Sequence, residues 1–507
     1  MKKLFIIPLF FILLSCANDS NSNADNTGTD TDTGTSSDFT TPLVTENSLI
    51  LGENQVNYDK TKTFNTLIYQ ARNPVNKDYL IKNSYSISAN GQQVQGVKPP
   101  LPVFLKKFDV TKGSIENINE LNKNIQQYAY DNNIKPIDKN STILKRTMPQ
   151  TVEVGTKWEN VYLLDINSDK YSTISATCIA VSNHAYFFLQ DNLDNLTTEQ
   201  ITAITTAFDK DYEIMHQYYG EETDTDGNGK VSFLIANFSQ GLFGFFTSVD
   251  KYSPQDIPAE YKSNEADVLY VNYYYFKNDW EKYQTDLKAT FIHEFQHMVL
   301  FDSRSRLGLN PNVNVWLNEG LSMLSEYYGG YTTPHYRYVG GYFAVNQGIS
   351  LITDSSSQDY GLSYLFARYL QIRFGDSFIK KIYTSQYTDI RAVEEAVNMD
   401  FNELFLDFTK MILLTGRNVT TDTRYNIEEF NYPEGSEGYN RNGFNLAALI
   451  DEVYSLYGDD SNFITSIGYN NKSLEMYGFT ITKWSGNIDN ITLSSSSKGI
   501  AGMYASW

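Results

Sequence analysis

Cysteine is almost absent from this chain: Cys16 and Cys178 are the only two in 507 residues. No network of bridges can therefore stabilise the fold. Cys178 lies in the alternating stretch TISATCIAV, where a buried, inert thiol is expected rather than a nucleophile. Basic residues are outnumbered, 40 Lys and Arg against 60 Asp and Glu, and no Lys/Arg-rich run occurs. That balance argues against nucleic acid as a partner. Histidine is scarce at five residues, so two of them four apart stand out. No internal repeat appears. The one long apolar run, in MKKLFIIPLFFILLSC at the N-terminus, is too short to span a bilayer.

What is present at that end has the shape of an export signal. Lys2 and Lys3 precede the apolar run, which stops at Leu13-Leu14-Ser15-Cys16. A small residue before a cysteine resembles the bacterial lipobox, which implies cleavage after residue 15 and lipidation of Cys16. Residues 16–47 carry almost no aliphatic side chain and cannot bury enough surface to offset their ordering entropy, so a flexible tether is expected. Removing residues 1–15 takes away two lysines and no acid, and the net charge moves from −20 to −22. The expected location is the bacterial outer membrane or cell surface, with the exported chain held there by lipid.

The rest of the chain, 41% hydrophobic overall, is long enough for two to four domains. Residues 48–195 read as a β-rich N-terminal domain, with strand-like SLIL, FNTLIYQA, YLIKNSYSISA, KWENVYLLDI and STISATCIAVSNHAYFFL. GSIENINELNKNIQQYAYDNN interrupts them as a helix or loop insertion. Residues 196–418 read as an α+β domain, a mixed sheet with helices. Ile201, Ile204, Phe208, Tyr212 and Met215 recur at helical spacing behind an N-cap at Thr197 or Thr198. Residues 419–507 read as a small region of turns and short strands.

The chemistry centres on FIHEFQHMVLF, residues 291–301. Phe291, Phe295, Met298 and Val299 define the buried stripe of a helix, which leaves His293 and His297 together on another face. Two imidazoles one turn apart suit zinc, and Glu294 would stand beside a metal-activated water as general base. Such a pattern arises by accident in only a few of about a thousand chains of this histidine content, yet it needs a third ligand. NVWLNEGLSMLSEYYGG, residues 314–330, offers one: a second helix places Glu319, Ser322 and Glu326 along one face.

HEFQHMVLF followed by WLNEGLS resembles the gluzincin metallopeptidases, and is most similar to the hyicolysin family of bacterial secreted metallopeptidases from about Asp209 to Gly375. The resemblance implies a zincin-like fold for this domain, His293, His297 and Glu319 as zinc ligands, and Glu294 as base. Glu326 is either a carboxylate behind a ligand histidine or a surface acid. The thermolysin branch has an aspartate four residues after its glutamate, where this chain has Met323. DYGLSYLFARYLQIRFG, residues 359–375, resembles an aminopeptidase-like segment that would make Tyr360 an oxyanion donor, with packing as the alternative. His335 is a rival donor.

A second signal is ETDTDGNGKVSFLI, where Asp224, Asp226, Asn228, Gly229 and the Lys230 carbonyl match the first half of an EF-hand loop. Its twelfth position is Ile235 instead of a glutamate, so a calcium site here must take an acid from elsewhere. The expectation is thus a monomeric, lipid-anchored zinc endopeptidase acting on proteins or peptides, with ADVLYVNYYY as the edge strand that pairs with substrate. A zinc aminopeptidase is disfavoured by the absence of a G-x-M-E-N stretch, which in that branch holds the substrate's free amine. The remaining alternative is a surface adhesin on the same scaffold without turnover.

Overall fold

A computed structural model gives the fold. It describes residues 112–137, 148–149, 151–238, 241–331, 338–343, 349–352, 360–417, 420–432, 445–455 and 477–478, together with the strands lying in 48–93 and 464–506. The signal segment, Cys16, the tether and His335 lie outside the described residues.

Strands β1 (Ser48–Ile50), β2 (Gln55–Asn57), β3 (Phe64–Gln70), β4 (Lys82–Ala89) and β5 (Gln92–Gln93) precede helix α1 (Lys112–Asp131). Next come β6 (Lys157–Asp165), β7 (Lys170–Val181), β8 (Ala185–Gln190), helix α2 (Thr198–Tyr218), β9 (Val231–Ala236), β10 (Gly244–Phe246) and β11 (Val268–Asn272). Strands β6 to β11 form one sheet in the order β10-β11-β9-β8-β7-β6. The pairs β8/β9 and β9/β11 are parallel and the others antiparallel. VSFLIA of β9 and VLYVN of β11 are buried at every position, as central parallel strands covered on both faces should be.

Helix α2 starts where the sequence places it. The Thr197 hydroxyl accepts from the Gln200 N–H and the Gln200 side chain accepts from Thr197 N–H, a reciprocal capping box. Helix α3 (Trp280–Arg306) lays Phe291 against Phe233 of β9 and Phe295 against Phe208 of α2, ring centroids 4.8 and 5.3 Å apart. Phe291, Phe295, Met298 and Val299 are all buried, which fixes the rotation of α3 and leaves His293 and His297 on its other side. Helix α4 (Val315–Gly329) crosses α3 and stops at Gly330, whose φ of 83° suits glycine. Behind it follow α5 (Tyr360–Phe374), α6 (Ser377–Thr384), α7 (Ile390–Val397), α8 (Phe401–Leu414) and α9 (Leu446–Ser455). Among the described residues no helix is long and apolar enough to cross a membrane.

Strand pairing runs across the boundaries drawn from sequence. β6, β7 and β8, placed there in the 48–195 domain, share the central sheet with β9 to β11. Of strands β12 (Ile464–Ser466), β13 (Ser473–Glu475), β14 (Phe479–Trp484), β15 (Asn490–Ser495) and β16 (Ile500–Ser506), the last four pair with strands among β1 to β4, and β12 pairs with β14. The orders are β1-β16-β3-β14-β12 and β13-β4-β15-β2, with β5 on β4. Alternation reveals a strand but not its partner, so ends of a chain that meet in space read as separate regions. The expected substrate edge also changes. ADVLYVNYYY supplies β11, which is paired on both sides, by β9 and β10. The strand at that edge of the sheet is β10, whose three residues GFF are too short to announce themselves by alternation.

Candidate metal centre

Helices α3 and α4 bring three side chains to one point. His293, His297 and Glu319 each offer an atom to a cluster no wider than 4.8 Å. Glu319 Oε2 lies 3.1 Å from His293 Nε2 and 3.7 Å from His297 Nε2. The two rings stand nearly perpendicular, at 81°, with centroids 4.9 Å apart. A four-residue step along α3 stacks the histidines, and the crossing of α4 sets Glu319 opposite them.

The other ring nitrogens are engaged behind this point. His293 Nδ1 lies 2.7 Å from Glu326 Oε1, and His297 Nδ1 lies 3.0 Å from Asn318 Oδ1. Both oxygens are acceptors, so each Nδ1 is placed to donate to them while each Nε2 faces Glu319 Oε2. Ser322 Oγ, 3.2 Å from His297 Nδ1, also bonds Gln296, which donates to the Tyr383 hydroxyl at 2.7 Å. Glu326 is thus in contact with a cluster histidine. Asn318, Gln296 and Tyr383 were not singled out from sequence, although Asn318 is the residue before Glu319 in WLNEGLS.

The electrostatics call for a shared positive charge. Burial opposes charge on Glu319, but the imidazoles of His297 and His293 outweigh it and hold its carboxyl down at about 2. Burial likewise works against a charged His293, and its bonds to Glu319 and Glu326 overcome that and raise it well above the ordinary imidazole range. His297 goes the other way, pushed to about 4 by burial with His293 adding to it. Two imidazole nitrogens facing one carboxylate oxygen are the donor set of a His2Glu metal site.

Glu294 stands apart from the trio. Its Oε2 accepts from the Phe246 N–H at 2.8 Å, which ties it to the end of β10. Burial pushes its carboxyl up to about 7, against the pull of His293. Tyr360, at the start of α5, is buried with its hydroxyl bonded to Glu319. Asn119 of α1 reaches both, donating to Glu319 Oε1 at 3.1 Å and to the Tyr360 hydroxyl at 3.2 Å. Nothing in the sequence of α1 marks Asn119, because the contact joins residues 241 apart.

The acidic loop between α2 and β9 assembles differently from the EF-hand expectation. Asp224 and Asp226 come within 4.8 Å of Asp267, which leads into β11 and supplies the acid that Ile235 does not. Asp224 Oδ1 accepts from Gly227 and Gly229 N–H groups at 2.8 and 3.3 Å. Asn228 instead donates to Asp226 at 2.8 Å and accepts from the Lys230 N–H at 2.9 Å, while the Lys230 ammonium bonds the Ser182 carbonyl at 2.6 Å. Buried Lys251 bonds Asp267 and, at 2.8 Å, Asp302, so part of this charge is already balanced from within. Cys178 is buried and unpaired, its thiol pushed up to about 11 by burial, in keeping with an inert packing role. No protein-family model and no curated protein matches the chain.

Proposed function

We propose that this chain is a zinc metalloendopeptidase of the gluzincin type on a zincin-like scaffold, exported and held at a membrane by lipid on Cys16. The observation that carries the reading is the convergence of His293 Nε2 and His297 Nε2 on Glu319 Oε2. His293, His297 and Glu319 would hold the ion. Bound there, Zn2+ supplies Lewis acidity toward a carbonyl oxygen and lowers the pKa of water.

The remaining steps belong to the chain's own groups. Glu294, anchored through Oε2 to Phe246 N–H, takes a proton from the attacking water and returns it to the departing amine. A carboxyl raised toward neutrality suits both halves of that transfer. The Tyr360 hydroxyl, beside Glu319, donates toward the oxygen on which negative charge develops. Glu326 and Asn318 keep the two imidazoles in the tautomer that points Nε2 at the ion. Asp224, Asp226 and Asp267 would take a calcium ion that stiffens the loop ahead of β9. The test is zinc content and digestion of denatured casein by the full chain and by Glu294→Ala. Digestion by the wild type alone, at equal zinc, supports the reading. Equal digestion by both would reject the role of Glu294.

A further inference from the structure

Resting on the peptidase reading, in which an extended polypeptide adds to the edge of the sheet, we propose that α1 occupies the outer edge of β10 as a built-in inhibitor.

β10 pairs with β11 through the groups on one of its sides, Asn272 N–H bonding the Phe243 carbonyl at 2.8 Å. The alternation of backbone groups then turns the Phe246 N–H and C=O to the other side. That N–H goes to Glu294, so the outer edge runs directly into the candidate base. An extended peptide adding to the sheet here would bring its own peptide groups to the Phe246 C=O and the Ser248 N–H. In this structure both are taken by one side chain. The Asn122 carboxamide donates to the Phe246 carbonyl at 2.9 Å and accepts from the Ser248 N–H at 2.9 Å.

The same helix face continues in both directions. Gln126 donates to the Ser248 hydroxyl at 3.3 Å, and Asn119 binds Glu319 and Tyr360 as described. Every one of these groups is a carboxamide, which has the donor and acceptor pair of a peptide bond and no charge to desolvate beside the carboxylates. Asn119 uses Glu319 Oε1 and leaves Oε2 toward the imidazoles, so the blocked state is compatible with an occupied ligand set. The proposed oxyanion donor, Tyr360, is engaged by α1 at the same time. Docking is backed by an apolar stripe: Ile118, Leu121, Ile125 and Ala129 are buried in the core shared with the sheet.

The experiment compares the zinc-loaded full chain with two variants, Asn119→Ala/Asn122→Ala, which keeps the apolar stripe, and Ile125→Asp, which undocks it. One readout is hydrolysis of fluorescein-labelled casein. The other is binding of the same probe by anisotropy in a Glu294→Gln background. At equal zinc content, both variants should cleave and bind the probe about tenfold better than their parents, the double variant through loss of the hydrogen bonds that Asn119 and Asn122 make with Glu319, Tyr360, Phe246 and Ser248. Cleavage and binding unchanged in the double variant would overturn the inference while leaving the peptidase reading intact. Tighter binding by the variants with no cleavage by any chain would support α1 as the blocking element and remove the peptidase reading.

Discussion

At the scale of single residues, the site rests on which nitrogen of each imidazole is free. Glu326 and Asn318 place acceptor oxygens 2.7 and 3.0 Å from the Nδ1 atoms, which favours the tautomer with Nε2 turned to Glu319. Glu326→Gln should therefore lower zinc affinity by about 10–100-fold without unfolding the protein, measured by competition with a chromophoric chelator. Unchanged affinity would show that the 2.7 Å contact does not orient His293. A second buried carboxyl predicts pH dependence away from the site. Burial, opposed by the Tyr331 hydroxyl and by the charges of Lys210 and Lys288, raises Asp211 to about 8. Its folded pKa exceeds its unfolded one, so the folded state binds the extra proton and stability falls as pH rises from the usual carboxylate range toward 8. Asp211→Asn should flatten that slope and stabilise the fold at pH 8 by at least about 1 kcal/mol, read by urea unfolding at pH 5 and pH 8. A steeper slope in the variant would contradict this. The two histidines were legible as neighbours because helical spacing converts a four-residue step into adjacency, whereas Glu319, on another helix, was picked out through the resemblance carried by WLNEGLS. Asn119 and Asp267 were not, since both reach their partners only through the tertiary fold.

At the scale of elements, the site depends on how closely α4 lies against α5. A Cβ on Gly320 would stand 2.8 Å from the Ser363 carbonyl oxygen, a backbone atom that cannot step aside. Gly320→Ala should push the helices apart next to Glu319, with a stability loss of about 1–3 kcal/mol and weaker zinc binding. Thermal unfolding with and without zinc measures it, and a variant as stable as wild type would refute the packing argument. The acidic loop gives a second expectation. Millimolar calcium should raise the Tm of wild type, and Asp226→Asn should abolish the rise; an identical rise in both would place calcium elsewhere. Helix α2 was readable down to its cap because Thr197 and Gln200 are local in sequence. The edge strand was misassigned for the converse reason. β11 sits inside the apolar run ADVLYVNYYY, and β10 is three residues whose outer backbone groups meet side chains, Glu294 and Asn122, instead of another strand.

At the scale of the whole molecule, the chain closes on itself. Strands from 48–93 pair with strands from 464–506, and the central sheet backs α3 through Phe233 and Phe291. The sequence revealed most of these strands as segments but could not assign their partners, because register and pairing are decided by contacts hundreds of residues apart. The mixed composition of sheet and helix was visible; the route of the chain through it was not. That route also carries α1 to the candidate ligands, where Asn119 meets Glu319 and Tyr360.

The most direct measurement is casein hydrolysis by the zinc-loaded full chain against Glu294→Gln, each with one zinc per chain and each also carrying Asn119→Ala/Asn122→Ala. The account predicts turnover that falls by at least about 100-fold when Glu294 becomes Gln, with zinc retained. Equal rates in the two, or no hydrolysis by either at equal zinc occupancy, would contradict it.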